Sequence, residues 1–107
     1  MALSTDIVLK EVIIIEIFLN DKYKLLKLLN EKKVEVGGEY ISIITQEQIA
    51  KKLQFGKCKV NRIIKELLIE KYLDGTYNNN GSYKLTEKTI VALKKIEEVG
   101  EELNDIF

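Results

Sequence analysis

The sequence predicts a small α+β domain that is mainly helical and carries one β-hairpin. Hydrophobic residues recur at steps of three and four along several segments, as they do on the buried face of amphipathic helices. Two β-prone stretches also flank an Asn80-Gly81 turn, which is a typical hairpin signal. The 107 residues are 46% hydrophobic, which is enough to fill one core. We therefore expect one domain over residues 1–107.

The first half of the chain predicts one clear helix and one strand. Asn20 offers an N-cap for a helix over residues 22–32, whose leucines lie opposite its lysines. Residues 34–39 are interpreted as a turn and residues 40–44 as a single strand. Residues 5–19 are apolar and rich in β-branched side chains, but their charges fit neither helical nor strand periodicity. Helix is the preferred interpretation of that segment, and its conformation stays open.

The second half predicts a pair of helices, a hairpin and a long helix. Thr45 and Gln48 form a capping-box pattern, so a helix should begin there and end around residues 54–56. The next segment repeats apolar residues at helical steps: Val60, Ile63, Ile64, Leu67 and Leu68. Residues 72–85 then predict the β-hairpin, and Thr86 opens the last helix. That helix carries an apolar stripe: Ala92, Ile96, Val99, Leu103 and Ile106.

This order of elements is that of a winged helix, and two helices joined by about four residues have the spacing of a helix-turn-helix. Residues 44–53 and 55–67 resemble the helix-turn-helix of bacterial repressors, and residues 82–88 resemble the hairpin exit of MarR-type and PadR-type regulators. The resemblance covers roughly residues 21–98 and implies a winged helix-turn-helix DNA-binding regulator.

Two positions depart from that resemblance. Lys71 and Thr89 stand where such families commonly place glycine.

Within the single domain we expect an N-terminal dimerisation segment (residues 1–20), a winged helix-turn-helix core (residues 21–85) and a C-terminal helix (residues 86–107).

The second helix of the pair carries the residues expected to bind DNA. Arg62 is the only arginine of the chain and can contact guanine O6 and N7 through two hydrogen bonds, while Asn61 can pair with adenine. The lysines are suited to phosphate, which positions a protein without reading sequence. The predicted DNA-binding set is Lys57, Lys59, Asn61, Arg62 and Lys65, with Lys52 from the preceding helix and Lys84 from the hairpin.

Composition excludes several other functions. The chain has no histidine, one cysteine and no glycine-rich phosphate loop, so we expect no catalytic site, no metal and no other cofactor. Cys58, between Lys57 and Lys59, is either a thiol poised for oxidation or a small residue at a helix start. The apolar stretch at residues 7–19 is interrupted by charges and is too short to span a membrane, and nothing predicts a signal peptide. The expected compartment is the cytoplasm.

The function that these observations predict is sequence-specific binding of double-stranded DNA by a homodimeric, repressor-like transcriptional regulator. Apolar surface outside the winged core, at residues 7–19 and on the last helix, is expected to form the dimer. The balance of 17 basic and 17 acidic residues keeps an alternative open, namely a winged-helix module for protein interaction or for plasmid or phage replication. The basic face could also be an ordinary solvated surface. Neither the operator nor a small-molecule effector can be identified from the sequence.

Overall fold

The computed structural model describes residues 20–78 and 81–106, with side chains described except at residues 103–106. The predictions for residues 1–19 lie outside the described residues. The elements are α1 (Asp21–Glu31), β1 (Lys33–Val36), β2 (Glu39–Ile43), α2 (Gln46–Leu53), α3 (Lys57–Ile69), β3 (Ser82–Leu85) and α4 (Glu87–Ile106). No helix in these described ranges is long and apolar enough to cross a membrane.

The predicted helix starts are confirmed by their caps. The Asn20 side chain accepts a hydrogen bond of 2.8 Å from the backbone N–H of Lys22. At α2, the Gln48 N–H donates to Thr45 Oγ1 at 3.1 Å and the Thr45 N–H donates to Gln48 Oε1 at 2.9 Å. Each bond satisfies a backbone N–H that the first turn of a helix leaves without an intrahelical partner. Local sequence therefore fixes where α1 and α2 begin.

The sheet has three antiparallel strands in the order β1-β2-β3. Two of them, β1 and β2, precede α2, where the sequence predicted only one. Residues 34–39, which we predicted as a turn, instead hold β1 and a two-residue turn at Gly37 and Gly38. Both glycines have positive φ, at 60° and 82°, which a tight hairpin turn requires. The prediction was wrong because the glycine pair was assigned to a long turn, although Val34 and Val36 continue the strand alternation.

The predicted hairpin over residues 72–85 is also only partly correct. Its second stretch is β3, but β3 pairs with β2, with Tyr40 opposite Leu85 and Ile43 opposite Ser82. The first stretch contributes one isolated bridge, between Leu73 and Leu85. The strand cannot continue because the Asp74 carboxylate accepts the backbone N–H of Thr76 at 2.9 Å and closes a local turn.

The hydrophobic core lies where the four helices and one face of the sheet meet. Leu25 and Leu29 of α1 and Leu67 of α3 are fully buried in it. Its other members are Tyr23, Leu26, Leu28, Ile44, Ile49, Val60, Ile63, Ile64, Leu73, Leu85 and Leu93. Because α3 packs one side into this core, its other side is left at the surface.

The two positions that depart from the repressor pattern, Lys71 and Thr89, meet at the turn that follows α3. Lys71 has a φ of 64°, the left-handed conformation that favours glycine. Thr86 Oγ1 donates to the Lys71 carbonyl at 2.9 Å, and Thr89 Oγ1 donates to the Tyr72 carbonyl at 2.6 Å. Thr89 is only 1% exposed, so its hydroxyl needs this partner. The two threonines thus tie the start of α4 to the end of α3.

Lys71→Gly is expected to raise the free energy of unfolding by up to about 1 kcal/mol, because it relieves a left-handed backbone strain of roughly 1–2 kcal/mol and loses some of that gain to the greater entropy of the unfolded chain. Lys65→Gly, in the middle of α3, should instead lower it by about 1 kcal/mol. Urea denaturation measures the free energy of unfolding of both variants. A less stable Lys71→Gly variant would contradict this interpretation of the turn.

Candidate nucleic-acid interface

Helix α3 separates into a buried side and an exposed side. Val60, Ile63 and Leu67 are at most 2% exposed and pack in the core. The side chains on the opposite side are exposed: Lys57, Cys58, Asn61, Arg62 and Lys65. We call the group Lys57, Asn61, Arg62 and Lys65 the α3 face. It combines three positive charges with a side-chain amide on roughly two helical turns.

The N-terminal end of α3 adds to the positive potential of this face. Gly56 is its N-cap and makes no side-chain capping hydrogen bond, and the first turn holds no acidic residue. The free N–H groups of such an end carry about half a positive charge and attract anions. Lys57, the first residue of the helix, brings its ammonium group to the same end. This end of α3 is therefore suited to a phosphate group.

Lys59 belongs to the predicted set but does not lie on the α3 face. Its Nζ is 2.7 Å from Asp21 Oδ2 at the start of α1, and it lies 4.3 Å from the centroid of the Phe55 ring. The hydrogen bond from Lys59 lowers the pKa of the Asp21 carboxyl group, so this pair is ionised at neutral pH. Lys59 therefore holds α3 against α1, and it would have to leave Asp21 in order to contact a phosphate.

Lys84 of the predicted set is likewise held by acidic side chains. Its Nζ lies 2.8 Å from Glu39 Oε1 and 3.3 Å from Asp74 Oδ2. The hydrogen bond to Glu39 raises the pKa of Lys84, so the lysine stays charged while its field is largely cancelled. In this position Lys84 links β2, β3 and the loop after α3.

Lys52 is exposed near the end of α2 and has basic neighbours that sequence reasoning missed. Together with Lys24 and Lys27 of α1 it lines a surface depression of about 390 Å³, which Glu31 also borders. The two α1 lysines were interpreted only as the polar side of a helix. Their proximity to Lys52 arises from the packing of α1 against α2, which no local pattern indicates.

Among the described residues, no group of three or more histidine, cysteine or acidic side chains could hold a metal ion. Cys58 is a free, exposed thiol at the start of α3. Both interpretations of Cys58 therefore stay open.

The chain is similar to known proteins in structure but not in sequence. The sequence matches no protein-family model and no curated protein. Among solved structures, a transcriptional regulator of the CRP/FNR family from Thermus thermophilus aligns with a TM-score of 0.57 and 21% identity over 88% of this chain and 48% of that one. The reduced (FeII) CO-sensing protein from R. rubrum aligns with a TM-score of 0.57 and 14% identity over 92% of this chain and 43% of that one.

The fold is a winged helix-turn-helix. In it, α2 and α3 are the helix pair and the loop and strand after α3 are the wing. The chain spans less than half the length of either matched structure. The first of them belongs to a family other than the MarR and PadR types, so the likeness supports the fold without favouring either repressor type.

Proposed function

We propose that the chain binds double-stranded DNA by inserting α3 into the major groove, as part of a transcriptional regulator. The observation that carries the proposal is the α3 face, which places Arg62 and Asn61 side by side between two lysines on the second helix of a helix-turn-helix. The major groove is about 12 Å wide and admits one α-helix. The 13 residues of α3 extend for about 20 Å, enough to place several side chains against base edges.

The residues of the α3 face have different proposed roles. Arg62 reads a guanine through its guanidinium fork, and Asn61 reads an adenine. Lys57 contacts phosphate together with the uncapped N-terminus of α3, and Lys65 contacts the phosphate backbone farther along the helix. Because the chain has 17 basic and 17 acidic residues, this attraction is local to one surface.

Selection from a pool of random duplexes tests this proposal. The full chain should enrich a short common motif, and binding to that motif should exceed binding to a scrambled duplex by orders of magnitude. An unenriched pool after repeated rounds would contradict sequence-specific binding. Enrichment of single-stranded contaminants alone would contradict the assignment of duplex DNA.

The proposed regulator is a homodimer on a two-fold symmetric operator. In the described part of the predicted α4 stripe, Ala92, Ile96 and Val99 are half-buried, and Ala92 and Ile96 line a groove of about 340 Å³ beside Tyr23 and Leu26 of α1. Two-fold pairing of such surfaces is the most frequent way in which chains associate, and it matches a palindromic operator.

Truncation locates the dimer contact. Removing residues 1–19, or separately residues 99–107, is expected to shift the mass measured by light scattering at micromolar concentration from two copies toward one. The full chain should select a motif made of two inverted half-sites. A full-length chain that stays a monomer, together with a motif without symmetry, would contradict the dimer.

A winged-helix module for protein contact is the second candidate. Ile69, at the end of α3, is 79% exposed, which is unusual for a large apolar side chain beside a DNA-contacting surface. For a protein-contact module, any affinity for duplex DNA would depend little on salt concentration. A DNA-binding module instead loses affinity for the duplex steeply as the salt concentration rises.

Asp21→Asn is expected to raise DNA affinity by roughly 0.5–1 kcal/mol, about two- to fivefold, in low salt. The substitution removes a negative charge beside the α3 face and frees Lys59 for a phosphate. Fluorescence anisotropy with a labelled duplex measures the change. Glu101→Gln, an exposed residue far along α4, removes the same charge away from α3 and should leave affinity unchanged. An equal gain in DNA affinity in both variants would show that the effect comes from the net charge of the chain and not from the Asp21–Lys59 pair.

A further inference from the structure

The sheet has one open edge. β1 is the terminal strand in the order β1-β2-β3, and its outer side pairs with no strand in residues 20–78 and 81–106. At the other edge, β3 is bridged to the loop by Leu73. An edge strand exposes unpaired N–H and C=O groups, which makes it a template for another strand.

The face of the sheet that points away from the core is apolar beside this edge. Val34 lies directly opposite Ile41, so the two share a face, and Val36 and Ile43 lie on that face by strand alternation. Val34, Val36 and Ile43 are 43%, 61% and 62% exposed. Ile41, on the same face, is buried but does not belong to the main core cluster. We call these four side chains the outer sheet patch.

We propose that two copies of this chain associate through their β1 edges, as antiparallel strands centred on Val34, and so form one continuous six-stranded sheet. In this register Val34 of each copy faces Val34 of the other. Lys33 of each copy then faces Glu35 of the other, which gives two identical ion pairs. The outer sheet patches of the two copies become one apolar surface across the junction.

The charges of β1 select this register over its neighbours. A two-fold axis at Glu35 would place two glutamates opposite each other, and an axis at Lys33 would place two lysines opposite each other. An axis midway between Val34 and Glu35 would set each charge against a valine. Like charges directly opposite each other destabilise a strand pair. The register centred on Val34 therefore satisfies both charges and also pairs the apolar residue with itself.

The side chains are available for this pairing. Glu35 is exposed, and Lys33, although its Nζ already donates to Asn30 Oδ1 at 2.7 Å, keeps further N–H donors. The edge shares no residue with the α3 face, so this contact is separate from DNA binding and from the chain ends. Together with a dimer formed by those ends, it would join dimers to one another.

Charge exchange on the full chain tests the proposal by sedimentation velocity over micromolar to millimolar concentrations. Lys33→Glu and Glu35→Lys should each weaken one association step by at least about tenfold, because each replaces two attractive pairs with two repulsive ones. An equimolar mixture of these two variants should associate as the wild type does, and so should the double variant K33E/E35K. Glu31→Lys, at the end of α1 and off the strand, should change nothing.

Thermal melting followed by circular dichroism checks that each variant folds. If Lys33→Glu does not fold, the comparison of Glu35→Lys with the double variant decides the question alone. Single variants that associate like the wild type would overturn the proposal. The proposal would also be overturned if neither the mixture nor the double variant K33E/E35K recovered wild-type association. It would be overturned as well if the association of the wild type were weakened only by removing the chain ends.

Discussion

Arg62→Ala is expected to weaken binding to the selected duplex by about 1–3 kcal/mol, roughly 5- to 150-fold, for each half-site, and to relax base preference at one position of that half-site. Arg62 is exposed on α3, and it carries the one guanidinium group of the chain. Competition titrations with duplexes substituted at each position measure both effects.

Two matched variants separate base reading from charge. Arg62→Lys keeps the positive charge but loses the planar fork, so it should lose discrimination nearly as fully as alanine does. Lys57→Ala should weaken specific and random duplexes evenly, because phosphate contacts carry no sequence information. If all three variants lose the same affinity on every duplex, Arg62 does not read a base.

Leu67→Ala is expected to lower the free energy of unfolding by about 2–5 kcal/mol, the largest effect on stability predicted for this chain. Leu67 is fully buried on the core side of α3, so alanine leaves a cavity between α3 and the elements packed on it. For a small domain of marginal stability this is a large share of the total. Urea denaturation followed by circular dichroism gives the value.

Ile69→Ala is the control on the same helix. It removes a side chain of the same size, but one that is 79% exposed, and should change the free energy of unfolding by less than about 0.5 kcal/mol. Similar losses in the two variants would mean that α3 does not divide into a core side and an exposed side in this way.

The parts of the fold that were predicted correctly are those determined by residues close in sequence. The caps at Asn20 and Thr45 act within three residues, and both helix starts are confirmed. The recurrence of apolar residues at steps of three and four along α3 likewise predicted which of its sides is buried. The wing was predicted less well, because strand pairing joins distant segments. β3 pairs with β2 across the whole helix pair, which the turn predicted from the Asn80-Gly81 sequence could not indicate.

The candidate site follows the same division. Asn61 and Arg62 were identified from their position on one helix. The ion pairs that hold Lys59 and Lys84 could not be predicted, because Asp21 and Glu39 are brought to them only by packing. The same is true of Lys24 and Lys27, whose proximity to Lys52 depends on how α1 and α2 meet.

The dependence of DNA affinity on salt, compared between the wild type and the variant K57A/K65A, tests most directly whether the α3 face binds DNA. Each neutralised phosphate contributes about −0.9 to the slope of log affinity against log salt, so the double substitution should make the slope shallower by about 2 for each copy bound, or about 4 for the proposed dimer. The circular dichroism spectrum should stay unchanged, since both lysines are exposed. A wild-type slope near zero, or a steep slope that the double substitution leaves as it was, would show that α3 is not the surface that binds DNA.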